Sequence, residues 1–383
     1  MKSRSFKLIT AMLVTILAAV PAFGAETVKI GAILAVTGPA SFLGGPEART
    51  LEMLVEQTNA DGGINGKQVE MIIKDSGASP EKAISFAKQL IEEEQVVAVI
   101  GPSTSGETMK IKKIFEQAGT PLVSCAAAEV IVNPVARYVF KTPQKDSYAA
   151  TKIFQTMKAM GISKIAVLAG NTGFGKAGKA QLLKIAPTMG IEVVEAEVYD
   201  KKSKDLSAVI AKIKANPDVQ AVVNWSIVPA QAIVAKNMRQ AGWDVPLFQS
   251  HGFGNIKYVE AAGAAAEGII FPAGRLLVAD QLPEGHPQKA LLTKYIADYE
   301  GKYKEAASTF GGHGYDAFII LKAAIEKAGT DRAKIRDEIE KIKNLPGTGG
   351  IFSFSAEDHN GLDIDSFEMI TVKNGKFVPY QGM

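Results

Sequence analysis

The chain has 383 residues, 47% of them hydrophobic, with 43 Lys+Arg against 40 Asp+Glu and a formal charge of +3. Charges of both signs are interspersed with no basic run or basic aromatic stripe, which excludes a nucleic-acid surface, and a single cysteine, Cys125, excludes an intrachain disulfide or a multi-cysteine metal site. This length exceeds one ordinary core and predicts two domains of roughly 150 residues each.

Lys2, Arg4 and Lys7 precede an uncharged run from Leu8 to Val20, and Pro21, Ala22, Phe23, Gly24 and Ala25 offer small residues for cleavage. Residues 1–24 therefore read as a secretory signal peptide cut after Gly24, and the mature chain as a periplasmic protein. The run is shorter than the roughly 20 apolar residues a spanning helix needs.

Beyond it, apolar strand-like runs alternate with amphipathic helical stretches. VKIGAILAV, a helix over Glu47–Asn59, QVEMIIKD, a helix over Pro80–Glu93, VVAVIG, a helix after Ser105 and TPLVSCA form one series of βα units. The rhythm restarts with helix 147–160, KIAVLAG, helix 177–188, IEVVEAEVY, helix 205–214, VQAVVNW, helix 229–241 and PLFQS. EGIIFPAGR, helices over Pro287–Tyr303, Tyr315–Lys327 and Asp331–Lys343, and short strands around Phe352 follow, before SFEMITVKNGKFVPY closes the chain with an Asn-Gly hairpin. The fold class is α/β, with two doubly wound parallel sheets.

Open sheets of this kind bind ligands beyond the carboxyl ends of their strands, and two facing sheets place the site between them. The turn Gly101-Pro102-Ser103-Thr104-Ser105-Gly106 lies at such an end and opens a helix. Its free amides and a Ser hydroxyl suit a carboxylate; an ordinary helix cap is the competing reading. Ser124–Ala128 and the loop after KIAVLAG lie at two further strand ends. Gly170 to Lys176 fits the GxxxxGK part of a phosphate loop, but Ala177 replaces the Ser or Thr that a bound magnesium requires. The four His residues are scattered, no HExxH or GxSxG occurs, and no acidic pair has a defined spacing. Non-catalytic binding without metal or cofactor is the expectation.

Several segments together carry a resemblance: VKIGAILAVTGPASFLG, NADGGINGKQVEMIIKDSGASPEKA, AVIGPSTSG, GTPLVSCAAA, VFKTPQKDSYAA, VLAGNTGFGKAG and FGGHGYDAFIILKAAIEKAG. Over essentially its whole mature length the chain resembles the periplasmic leucine/isoleucine/valine-binding family, the type I binding proteins that feed ABC importers. The resemblance implies two lobes joined by three crossovers, near Thr142–Asp146, Ile270–Gly274 and Ser353–Glu357. Lobe 1 is then 25–142 plus 274–353, and lobe 2 is 143–273 plus 354–383. It further implies a monomer that closes on a small ligand and docks on a membrane permease; a sensor docking on a membrane receptor is the alternative from another class.

By the same resemblance Ser105 holds a ligand carboxylate through hydroxyl and amide, Ala126 offers a backbone carbonyl, and Leu43 an apolar contact. Phe174 stands where the family has a ligand-contacting Tyr; between Gly173 and Gly175 it has little local packing and is expected to face the ligand. Trp225, Phe253, Phe310 and Tyr315 fall in cleft-facing loops, with core packing as their other reading. Two departures bear on the ligand. Ala128 replaces a Thr and keeps only its amide, and LFQSHGFGN has His251 and Gly252 where the amino-acid binders place a Glu for the ligand ammonium. A desolvated ammonium without a carboxylate partner loses several kcal/mol, so an aromatic or branched 2-oxo or plain carboxylic acid is expected, with His251 donating a hydrogen bond. A branched-chain amino acid is the alternative ligand.

Overall fold

The computed structural model describes residues 27–382, and the leader read at residues 1–24 lies outside them. VKIGAIL, apolar except at Lys29, builds β1 (Val28–Leu34), buried at all positions but Lys29, as a strand covered by helices on both faces must be. It is flanked by β2 (Val69–Asp75) and β3 (Ala98–Ile100), and β4 (Leu122–Ser124) and β5 (Val139–Lys141) extend the sheet. All pairings are parallel, in the order β2-β1-β3-β4-β5. Helices α1 (Ser41–Ala60), α2 (Pro80–Lys88) and α3 (Ser105–Ala118) connect them. The strand order reverses between β1 and β3, so the crevice of this sheet opens between the loops after Leu34 and Ile100.

After α4 (Asp146–Ala159) the second sheet begins with β6 (Lys164–Gly170), α5 (Gly173–Ile185), β7 (Glu192–Tyr199) and α6 (Ser207–Lys214). It continues with β8 (Ala221–Trp225), α7 (Ala230–Gln240), β9 (Leu247–Gln249), α8 (Ile256–Ala262) and β10 (Ile270–Ala273). Helices α9 (Lys289–Tyr303), α10 (Thr309–Ala328) and α11 (Arg332–Lys341) and the antiparallel pair β11 (Leu345–Pro346) and β12 (Ile351–Phe352) follow. The chain ends in β13 (Glu368–Lys373) and β14 (Lys376–Pro379), joined through Asn374-Gly375 and added antiparallel to the second sheet, whose order is β14-β13-β10-β9-β8-β6-β7. The two doubly wound sheets and the terminal hairpin expected from the sequence are therefore present.

Three passages link the two sheets. The first runs from Lys141 to Asp146. The second follows Ala273, since Leu276 already packs with Leu292 and Tyr295. The third comes later than expected: Phe354 and Leu362 pack with Val28 and Phe140 against the first sheet, and Phe367 is the first residue of this stretch to pack against the second. The boundary expected at residues 353–354 thus moves beyond Leu362, because the 354–362 loop closes over β5 instead of crossing. Gln144 Nε2 donates to Gly349 O (2.7 Å) and Asn360 Nδ2 to Pro143 O (2.8 Å), tying the first passage to the β11–β12 turn and the 354–362 loop, and Gln288 Nε2 donates to Gly347 O (2.8 Å) of the same turn.

Helix starts also differ. α1 begins at Ser41 instead of Glu47, α5 at Gly173 instead of Ala177, and α10 at Thr309 instead of Tyr315. Each missed turn is rich in glycine, which weakens a helix by about 1 kcal/mol per residue. At Gly44 the reason for glycine is contact: a Cβ there would lie 2.3 Å from the backbone of Ala35 at the end of β1. Strand β5 and helix α8 went unread because each is short.

Candidate ligand-binding site

Thr104, in extended conformation, caps α3, its Oγ1 accepting from the Glu107 amide at 3.4 Å. Ser105 is thereby released from capping. Its hydroxyl accepts instead from the Ala128 amide at 3.2 Å, so two groups expected to share a head group are already in contact. One residue earlier, the Ser103 hydroxyl accepts from the Ala35 amide at 3.0 Å and donates to the Glu47 carboxyl. At the next strand end Ser124 Oγ accepts from the Ala126 amide at 3.1 Å, turning the chain so that Ala126 and Ala127 face the space between the sheets.

From the other side, α5 brings Phe174 up to this turn, and the short turn after β9, capped by Ser250 on the Gly252 amide (3.2 Å), presents His251. The start of α10 adds Phe310 and, one turn on, His313. Together these close a cavity of about 20 Å³ lined by Leu43, Ser103, Ser105, Cys125, Ala126, Ala127 and Pro143 on one side. Phe174, Ile227, His251, Gly252, Phe310 and His313 line the rest. A cavity this size admits about one water, so a ligand of several heavy atoms requires the two sides to part. A second cavity of about 320 Å³ adjoins it across Ser105, Phe174 and Ile227 and carries Lys176, Lys201 and Lys202 together with Glu107. A third, of about 640 Å³, lies along β13 and β14 and shares no residue with either.

The two sides are in close contact. Asn255 Nδ2 donates to Phe42 O at 3.1 Å, and the Thr309 amide and hydroxyl both donate to Gly254 O at 3.1 Å. Gly173 of α5 meets Gly106 of α3 backbone to backbone, with no room for a Cβ at Gly173.

Of the ten residues singled out in the sequence, Leu43, Ser105, Ala126, Phe174, His251 and Phe310 line the cavity, and Ala128 stands behind Ser105. Three do not reach it. Trp225 is wholly buried between Phe174, His251 and the backbone of α5 at Gly178. Phe253 stacks on Tyr258 and meets Phe271 and Phe377 edge-on inside the second core. Tyr315 turns away on α10 to meet Tyr295, ring centroids 5.2 Å apart. Core packing is the role of all three. Phe174 also departs from expectation in its surroundings: its ring is 1% exposed and packs on Trp225 and His251, so the flanking glycines leave it well supported.

His313 was missed. Its signal was its place three residues after Phe310 on one helical face, hidden because FGGHG reads as loop. No Asp or Glu lines the inner cavity among the described residues, but two acids stand one group behind it: Glu47 behind Ser103, and Asp146, whose Oδ1 is 3.6 Å from His251 Nε2. Burial pushes the Glu47 carboxyl up to about 8, the Ser103 hydrogen bond opposing. Burial also raises Asp146, and the Lys141 ammonium opposes that rise. Lys141 is itself buried in the first passage, its Nζ donating to Pro143 O and Gln144 O. Desolvation and the Lys141 charge lower His313 to about 3, and the same effects hold His251 well below its usual value. Both imidazoles are neutral at pH 7. The site thus offers the Ser105 hydroxyl, a second hydroxyl at Ser103 that is engaged with Glu47, backbone amides, two neutral imidazoles and apolar walls.

The sequence model of the periplasmic binding protein family matches residues 27–375. The chain belongs to the periplasmic binding protein family. Its relatives include the leucine-, isoleucine-, valine-, threonine- and alanine-binding protein of Pseudomonas aeruginosa, 27% identical over 90% of each chain. Among solved structures, an extracellular ligand-binding receptor from Rhodopseudomonas palustris HaA2 superposes with a TM-score of 0.87 at 27% identity, over 92% of this chain and 99% of that one. The branched-chain amino acid transporter substrate-binding protein LivJ of Streptococcus pneumoniae, solved with isoleucine, gives 0.81 at 27% identity over 92% and 98%. The family resemblance read from the sequence is borne out.

Proposed function

We propose that this periplasmic binding protein is the exported substrate-binding component of an ABC importer of the branched-chain amino acid class, and that it carries a small aromatic or branched carboxylate without an α-ammonium. The supporting observation is the inner cavity: a Ser hydroxyl at a helix start, two neutral imidazoles and apolar walls, with no carboxylate facing inward among the described residues. A carboxylate finds hydrogen-bond donors at Ser105 and at the first amides of α3. An ammonium buried there would lack a charged partner.

In this reading the two sheets with their helices act as lobes hinged at the three passages, and the ligand is sandwiched when they close. Closure follows only from contacts that the ligand makes in the closed form and not in the open one. The Ser105 turn from one lobe and His251 and Phe174 from the other provide such contacts. The closed face then engages a membrane permease, and the chain works as a monomer, its signal peptide having directed it to the periplasm.

A branched-chain amino acid is the second reading, favoured by the isoleucine bound to the Streptococcus relative. A thermal-shift screen separates them, since a ligand that binds only the folded state raises the melting temperature. Leucine, isoleucine and valine are compared with their 2-oxo counterparts, with phenylpyruvate and with plain aromatic acids. Stabilisation by the acids alone supports the proposal; stabilisation by leucine or valine alone overturns it.

A further inference from the structure

The polar atoms facing the inner cavity are not all acceptors' partners in waiting of the same kind, and the pairing behind His251 decides which kind it is. His251 Nε2 lies 3.6 Å from Asp146 Oδ1, with the two side chains 5% and 0% exposed. Neither ring nitrogen of His251 has a hydrogen-bond partner among the described residues, and neither does Asp146 Oδ1, while Asp146 Oδ2 accepts from the Glu129 amide at 3.2 Å. A carboxylate only accepts, so the imidazole tautomer that suits this pair carries its proton on Nε2. Nδ1 is then a bare lone pair. Phe174, Trp225 and Phe367 surround the ring edge-on, at centroid distances of 5.2, 5.5 and 5.5 Å, and the one donor among them, Trp225 Nε1, makes no hydrogen bond and lies against Gly178 of α5. His251 also lines the inner cavity. A buried acceptor without a partner is costly, and His313 Nδ1 in the same wall is a second ring nitrogen without a partner among the described residues.

We propose that Asp146 is a positioning residue that fixes the Nε2–H tautomer of His251, and that the bare Nδ1 selects acids carrying a hydroxyl donor. This rests on the carboxylate reading above and reverses the donor role expected for His251 from the sequence. Burial pushes the Asp146 carboxyl up to about 7, and the Lys141 ammonium, held by two carbonyls of the first passage, opposes that rise, so Asp146 acts as a carboxylate above this pH. A hydroxyl gives its single proton to Nδ1 and is satisfied. An ammonium brings three donors and a charge to a wall without a facing carboxylate, and a 2-oxo oxygen brings a second acceptor against the first.

The test is a calorimetric titration of the mature protein with five acids on one skeleton: 3-phenylpropanoate, phenylpyruvate, 3-phenyllactate, 3-(4-hydroxyphenyl)propanoate and phenylalanine. At least one hydroxyl-bearing acid is expected to bind about tenfold or more tighter than 3-phenylpropanoate, a ratio that Asp146→Asn brings towards one. Tightest binding by phenylpyruvate or 3-phenylpropanoate overturns the hydroxyl assignment and leaves the carboxylate reading standing. Tightest binding by phenylalanine overturns both, and so does binding by none of the five. An unchanged ratio in a folded Asp146→Asn protein overturns the role of Asp146. Should that variant fail to fold, two-bond 1H–15N correlation on the wild-type protein reads the tautomer directly: a protonated Nε2 with a bare Nδ1 supports the proposal, and the opposite tautomer overturns it.

Discussion

Replacing Gly173 by alanine tests closure separately from folding. A Cβ at Gly173 would lie 2.8 Å from both the Cα and the N of Gly106, and 3.4 Å from the backbone carbon of Ser105, so the new methyl meets main chain that cannot rotate away. The methyl is accommodated only if α3 and α5 separate by several tenths of an ångström, at the point where Ser105 and Phe174 line the inner cavity. Overpacking of this kind costs about 1–3 kcal/mol, which weakens ligand affinity by roughly 5- to 150-fold. Within its own lobe the substitution is benign, since Ala is the better helix former. The control is Gly106→Ala, whose Cβ would lie 3.9 Å from the Gly173 amide nitrogen, ordinary contact. Calorimetric titration should show a large loss for Gly173→Ala and less than about 0.5 kcal/mol for Gly106→Ala, with unliganded melting temperatures close to wild type. Wild-type affinity in Gly173→Ala, or an unliganded melting temperature lowered as much as the affinity, would refute the argument.

Ser105→Ala removes the hydroxyl from the proposed carboxylate anchor and should cost about 1.5–3 kcal/mol in titration of an acid ligand; unchanged affinity removes Ser105 from the site. Tyr315→Phe should leave affinity unchanged, because the side chain faces Tyr295 and not the cavity; a tenfold loss in titration would return it to the binding residues. Glu47→Gln is read by denaturant unfolding between pH 5 and 8. The folded carboxyl is raised from 4.5 to about 8, so in this window the native state keeps a proton that the unfolded chain has lost. Stability from this group is full below about 4.5 and falls as pH rises, by about 1.4 kcal/mol per unit. The variant should flatten that decline, and an equal slope in both proteins contradicts the assignment. On the acid side His313, lowered to about 3, contributes stability above its ordinary value that is lost as pH falls from about 6.5 towards 3. His313→Gln should reduce that loss between pH 6.5 and 4, and an unchanged acid limb contradicts the assignment.

The sequence reveals the two sheets because each central strand, VKIGAIL or KIAVLAG, is a nearly uninterrupted apolar run between helical periods, a pattern that only a strand covered on both faces produces. Ser105, Ala126 and Phe174 are legible for a related reason: they follow strand carboxyl ends, where the topology must put the crevice. Side-chain direction is not legible in the same way. Trp225 ends β8 and Phe253 follows β9, as near to the crevice in sequence as His251, yet both turn into the core. Asp146 and His313 could not be placed beside His251 from sequence, since one begins α4 after the first passage and the other sits in a glycine-rich turn of α10. That turn is helical through tertiary packing against α1, which overrides weak local propensity.

The most direct measurement is a crystal structure of the mature protein with the acid that gives the greatest thermal stabilisation. The account predicts the ligand carboxylate within hydrogen-bond distance of Ser105 Oγ and an amide at the start of α3, with its apolar part against Phe174 and Phe310. A carboxylate bound elsewhere, or pointing away from Ser105, would contradict it.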